Sequence, residues 1–196
     1  MPDPFTLDPG STALLVMDYQ PLIVDQLPDG EQLLERAATA VDAVRGRGGH
    51  VGWVRVAFTD ADFDAIPETS TFARFAGGDG RSALHADAPG TQIHDRLDPR
   101  PEDAAVRKVR VGAFTTTDLH DQLRARGVTT LVIAGLSTSG VVLSTVREAM
   151  DRDYRTVVLR DACGDPKPGV HDVLTDEILA AHGLVTTVDG LDALWA

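Results

Sequence analysis

The feature that most constrains this chain is the alternation of short, wholly apolar runs with amphipathic stretches of helical spacing. Residues 12–17 (TALLVM), 50–57 (HVGWVRVA), 104–107, 129–134 (TTLVIA), 155–159 and 184–188 read as strands. Between them, residues 31–47, 115–126, 138–152 and 170–182 read as helices. The first of these carries Leu33, Leu34, Ala37, Ala38, Val41 and Val44 on one face and stops at Gly48-Gly49. Strands that are apolar throughout have no face left for water. Alternating with helices, they predict a parallel sheet covered on both sides.

Residues 58–103 break the pattern. They hold Pro67, Gly77-Gly78, Gly80, Pro89-Gly90, Pro99 and Pro101 and show no sustained period. Four of the six phenylalanines (Phe58, Phe63, Phe72, Phe75) lie in this excursion. A disordered linker does not concentrate aromatics. A packed surface excursion and a lid or subunit contact lining a pocket both fit. With 196 residues, the chain is expected to form one domain over 1–196.

Thirty acidic against eighteen basic residues give a net charge of −12, the wrong sign for nucleic acid or an anionic membrane surface. No apolar run approaches the roughly 18 residues of a membrane span, and the polar, acidic start is unlike a signal peptide. The lone cysteine, Cys163, excludes an intramolecular disulfide and predicts a reducing, cytoplasmic setting. The basic residues are arginines except for Lys108 and Lys167. In so arginine-biased a chain, lysine marks a place that needs a compact, deprotonatable ammonium.

Ligands of an open parallel sheet bind beyond the carboxyl ends of its strands, where strand order reverses. Strand one ends in Asp18-Tyr19-Gln20 and strand three runs into Lys108. Strand four runs into Gly135-Leu136-Ser137-Thr138-Ser139-Gly140-Val141, a small-residue turn opening a helix whose first N–H groups carry partial positive charge. Taken singly, an Asp at a strand end is a turn residue, a lysine is solvated, and Ser/Thr clusters cap helices. Together they can converge in one crevice. There Gln20, Phe58 and Phe114 are the candidate pocket lining, and Ser137, Thr138, Gly140 and Val141 the candidate turn facing a substrate oxyanion.

Five stretches carry a resemblance: ALLVMDYQ (13–20), PGTQIHDRL (89–97), VRKVRVGAFTTTDL (106–119), LVIAGLSTSGVVLSTVREAMDRDY (131–154) and VVLRDACGD (157–165). They resemble the isochorismatase-like, or cysteine hydrolase, superfamily. The resemblance implies a Rossmann-like three-layer α/β/α sandwich with a mostly parallel six-stranded sheet. It also implies a catalytic Asp and Lys at Asp18 and Lys108, a non-proline cis peptide near Leu136-Ser137, and a homodimer or higher homo-oligomer. The family's nucleophilic cysteine falls on Val141, which cannot attack a carbonyl. Cys163 stands two strands from Asp18, roughly 10 Å away at about 4.8 Å per strand. Ser139 points about 200° around the helix start from position 141. The nicotinamidase branch carries an Asp-x-His…His metal site, but here residues 57–62 (AFTDAD) hold no histidine. With no paired histidine spacing elsewhere, no metal is expected, and Asp60 and Asp62 read as loop residues. No G-x-G-x-x-G follows strand one, so no nucleotide cofactor is expected.

The partner expected is a small-molecule substrate. By resemblance, Asp18 protonates the vinyl carbon of an enol ether and water captures the oxocarbenium ion, with Lys108 positioning the acid or the substrate. That requires burial of Asp18 to outweigh the ammonium beside it. Two readings compete: amide or imide hydrolysis by water activated on Asp18, and a non-catalytic relative that binds a small molecule and keeps the ion pair for structural reasons.

Overall fold

The computed structural model describes residues 6–195. Among them, six parallel strands form one sheet in the order β3-β2-β1-β4-β5-β6. They are β1 (Thr12–Met17), β2 (His50–Val56), β3 (Ala104–Lys108), β4 (Thr130–Leu136), β5 (Arg155–Gly164) and β6 (Leu184–Thr186). The order reverses between β1 and β4, which pair from Thr12↔Thr130 to Met17↔Gly135.

Period-two alternation divides each central strand between two cores. Leu14 and Val16 of β1, with Val132 and Ala134 of β4, face the helix Gly30–Gly46 and the turn Val188–Leu191. Ala13, Leu15 and Met17, with Leu131 and Ile133, face the helices Leu119–Ala125 and Leu143–Met150. The result is helix, sheet, helix. Each fully buried leucine or valine in these layers adds roughly 1.5–3 kcal/mol. The helix Gly30–Gly46 buries Leu33, Leu34, Ala37, Ala40, Val41 and Val44. Beyond it Gly48 takes φ +82°, the left-handed conformation in which glycine ends helices without strain.

Several elements differ from expectation. β5 runs on through Gly164, although Arg160 and Asp161 interrupt its apolar run. Those two side chains leave the sheet for ion pairs: Asp161 with Arg36 at 2.6 Å, Arg160 with Asp176 at 3.2 Å. The register of β4 against β5 shifts between Ile133 and Gly135. The helix expected from residue 115 starts at Leu119, because Thr117 turns its hydroxyl back to the Ala113 carbonyl at 2.6 Å. The helix expected over 170–182 is three short turns, Val170–Val173, Leu174–Ile178 and Leu179–Ala181. β6 stops at Thr186, and Val188 opens the next helical turn.

The 58–103 excursion folds into short helical turns, among them Asp60–Asp64, Thr71–Phe75 and Gly78–Ala83. It has its own apolar cluster, in which Phe58 stacks on Phe63 at 5.0 Å and Phe72 packs alongside. Asp60 and Asp62 lie in a first helical turn rather than in loop. Thr59 and Asp62 cap that turn reciprocally, Asp62 pairs with Arg107 at 2.7 Å, and Asp60 pairs with Arg81 at 2.8 Å. Among the described residues no helix is long and apolar enough to cross a membrane.

Candidate functional site

Because β1 and β4 diverge in connection, their carboxyl ends open a crevice, and Asp18 is the first residue past β1. Its backbone takes φ +60°, a conformation that costs a non-glycine residue about 1 kcal/mol or more and that Asp tolerates better than most. The Asp18 N–H donates to the Val54 carbonyl at 2.8 Å. This locks the turn to β2 and aims the carboxyl group across the sheet end.

Lys108 ends β3 opposite Val56 of β2. Its Nζ lies 2.9 Å from Asp18 Oδ2, with side-chain exposures of 3% and 7% for the lysine and the aspartate. The ammonium also donates to the Arg110 carbonyl at 3.3 Å. Asp18 Oδ1 is buried and, among the described residues, has no hydrogen-bond partner. Burial pushes the Asp18 pKa above the ordinary carboxylate value, more strongly than the adjacent Lys108 pulls it down. The expected pair therefore meets, although its members lie 90 positions apart in sequence.

The turn after β4 begins with a cis peptide at Leu136-Ser137. Residues Thr138–Val142 form a single π turn leading into the helix Leu143–Met150. Ser137 caps it, accepting from Gly140 N–H at 3.1 Å. Ser139 N–H donates to Asp165 Oδ2 at 2.7 Å, and Thr138 Oγ1 meets His171 Nδ1 at 2.8 Å. These bonds already engage one of the amides expected to face a substrate oxyanion, that of Gly140, and its neighbour at Ser139. Neither Asp165 nor His171 was a candidate. No spacing in the sequence ties them to the turn, and only the extension of β5 brings Asp165 there. Val141 is 2% exposed and packs in the apolar cluster that includes Met17 and Phe114.

The expected lining residues have other duties. Gln20 donates from Nε2 to the Val56 and Thr91 carbonyls at 2.9 and 2.8 Å, and its Oε1 accepts from Val56 N–H at 2.8 Å. It clamps the excursion to the end of β2. Phe114 stacks on Tyr154 at 5.9 Å inside the helical layer. Phe58 does border a cavity, together with Val56, Phe72 and Phe75. Cys163 sits opposite Gly135, two strands from β1, with its thiol directed at the Ile133 carbonyl at 3.7 Å. Burial pushes that thiol up to about 12, so it is protonated at neutral pH. Among the described residues no cluster of His, Cys, Asp and Glu is arranged to hold a metal ion.

The family model of the isochorismatase domain matches residues 12–190. An uncharacterized isochorismatase family protein, YwoC of Bacillus subtilis, is 33% identical over 83% of this chain and 82% of its own length. The ureidoacrylate amidohydrolase RutB of Methylobacterium radiotolerans is 30% identical over 98% of this chain and 82% of its own. An isochorismatase family protein from Burkholderia thailandensis superposes with a TM-score of 0.74 at 30% identity, over 96% of this chain and 97% of that one.

Proposed function

The chain belongs to the isochorismatase family of hydrolases, and on that premise we propose that it hydrolyses a small molecule by acid–base chemistry of Asp18 and Lys108, without a cysteine nucleophile. By the resemblance, the cysteine hydrolases' thiol position falls on Val141. The observation that carries this reading is the state of Asp18. It is buried, its proton affinity is raised, one oxygen is held by Lys108, and the other is unpartnered. A buried polar atom without a partner costs about 1–3 kcal/mol, and a substrate group at Oδ1 removes that cost.

The reaction that uses a neutral carboxyl group here is hydrolysis of an enol ether. The Oδ1 proton moves to the terminal vinyl carbon, and the alkene electron pair forms the new C–H bond. The positive charge left behind is shared with the ether oxygen. Water adds to the carbon that bears the ether oxygen and returns a proton to Asp18. The hemiketal then breaks its C–O bond, giving a ketone and an alcohol. Lys108 stabilises the carboxylate formed after proton transfer, since a charge partner in a water-excluded site is already oriented.

The likeness to a ureidoacrylate amidohydrolase favours a second reading. There Asp18 works from its ionised state as a base, drawing a proton from water that attacks an amide or imide carbon. A panel of vinyl ethers, primary amides and cyclic imides assayed in deuterium oxide separates the two. The first reading predicts ketone release with one deuterium on the former vinyl carbon. Ammonia release from an amide, or ring opening of an imide to the half-amide, without carbon deuteration selects the second. Binding without turnover of any class contradicts both.

A further inference from the structure

The two side chains that grip the turn after β4 also line a cavity. Asp165 accepts from the Ser139 N–H, and His171 meets Thr138 Oγ1. Both border a half-open volume of about 560 Å³ beyond the end of β5, between the start of the helix Gly30–Gly46 and the turn Val170–Val173. That size lies within the usual range of small-molecule sites, about 300–1,000 Å³. Asp18, Lys108 and Val141 are not on its lining, so it is separate from the reacting pair.

Most charges on this wall already have partners. Asp161 is held by Arg36 and by the Val188 N–H. Arg160 pairs with Asp172 and with Asp176. Asp165 receives the N–H groups of Ser139 and Lys167. The exceptions are the Asp29 carboxylate and the Lys167 ammonium, on opposite sides of the cavity. Among the described residues neither side chain makes an ion pair or a hydrogen bond, and the two stand too far apart to pair with each other.

Fixed backbone presents both. Asp29 directly precedes the helix, where an aspartate ordinarily turns its carboxylate onto the first amides. This one does not. Gly30 behind it has no room to shift, since a Cβ there would stand 2.1 Å from the Val24 carbonyl oxygen. Lys167 lies between Pro166 and Pro168, whose rings fix their own φ. Its N–H donates to Asp165 Oδ1 at 3.2 Å, and its carbonyl accepts from the Val170 N–H at 3.2 Å. It is one of two lysines in the chain, and the other belongs to the reacting pair. Charges held in place in advance cost less to order when a ligand arrives.

We propose that this cavity binds a small zwitterion, an amino acid or short ω-amino acid, with its ammonium at Asp29 and its carboxylate at Lys167, against the anchors of the turn. A ligand of a single charge complements one wall and leaves the other unmatched. The proposal does not draw on the hydrolase reading.

NMR titration of the isotope-labelled full chain at low ionic strength tests it. β-Alanine, γ-aminobutyrate and δ-aminovalerate bracket the span. The tightest of them is compared with two isosteres of its own length, one with methyl in place of the ammonium and one with a carboxamide in place of the carboxylate. The zwitterion is expected to bind about fivefold tighter than either isostere, the upper end of what one exposed charge pair supplies. Amide shifts should concentrate at Gln32, Lys167 and Gly169, and at Ser139 across its bond to Asp165. At unchanged melting temperatures, Lys167→Met should erase the preference over the carboxamide and keep that over the methyl isostere. Asp29→Asn should do the converse. Equal affinity for zwitterion and either isostere, no binding of any probe, shifts centred elsewhere, or preferences that survive both variants overturn the proposal. If the preferences appear while no compound class is turned over, the hydrolase reading fails and this one stands.

Discussion

Asp18→Asn will fold and will lose about 10²- to 10⁴-fold in kcat/KM, the span of a single general acid–base group. The substitution keeps the size and planarity of the side chain, and an amide oxygen can still accept from Lys108 Nζ, now 2.9 Å from Oδ2. What the amide cannot do is release a proton to substrate at the unpartnered Oδ1 position. A structural role alone would lower the melting temperature and leave the turnover of the folded fraction intact. Steady-state kinetics on protein whose circular dichroism matches the unaltered chain distinguish the two. Turnover near the unaltered rate would remove Asp18 from the chemistry.

At a pH where Asp18 is ionised, Lys108→Met is expected to cost about 3–5 kcal/mol in urea unfolding, because it strands a buried carboxylate without its partner. The pair is nearly sealed from solvent, so the discount that applies to exposed ion pairs does not apply. The cost should depend on pH in a fixed direction. Asp18 has a folded-state pKa above its unfolded one, because burial outweighs Lys108. Its contribution to stability is therefore full below the unfolded value near 3.8 and is lost as pH rises through the folded value. Removing Lys108 removes the opposing pull and raises the folded value further, so the deficit against the unaltered chain should grow between roughly pH 4 and pH 8, starting as pH passes the folded Asp18 value of the unaltered chain. Asp62 and Asp165 run the other way. Their pKa values are held low, so their contributions are present above the unfolded value and lost as pH falls. They are common to both proteins and cancel in the difference. The double variant Asp18→Asn/Lys108→Met leaves no buried charge and should be more stable than Lys108→Met alone. A flat deficit across that pH range would contradict the raised pKa.

The sheet was legible because its central strands are buried on both faces. β1 and β4 needed no arbitration between periods, since TALLVM and TLVIA are too short and too apolar for surface helices. Lys108 stood out against the arginine background, and Asp18 marked a strand end. The extension of β5 was hidden because Arg160 and Asp161 look like loop residues until Arg36 and Asp176 are placed beside them. The 170–182 segment looked like one helix because local periodicity does not record where a chain must bend to cover a sheet edge. The duties of Gln20 and Phe114 were equally invisible. Both partners of the Gln20 amide are backbone groups, at Val56 and Thr91, and backbone leaves no trace in the sequence pattern. The cluster of Phe58, Phe63 and Phe72 has no period at all; its aromatics signalled packing without saying against what.

The central claim is hydrolysis by a carboxyl group in a fold whose relatives include cysteine hydrolases, and one variant tests it most directly. Cys163 is the only cysteine in the chain, so Cys163→Ala contains no thiol of any kind. Turnover of that variant on the substrate selected by the panel, at a matched melting temperature, should equal that of the unaltered protein. A loss of two or more orders of magnitude, on the scale of a missing nucleophile rather than of a small packing defect, would contradict the account and return the chemistry to sulfur.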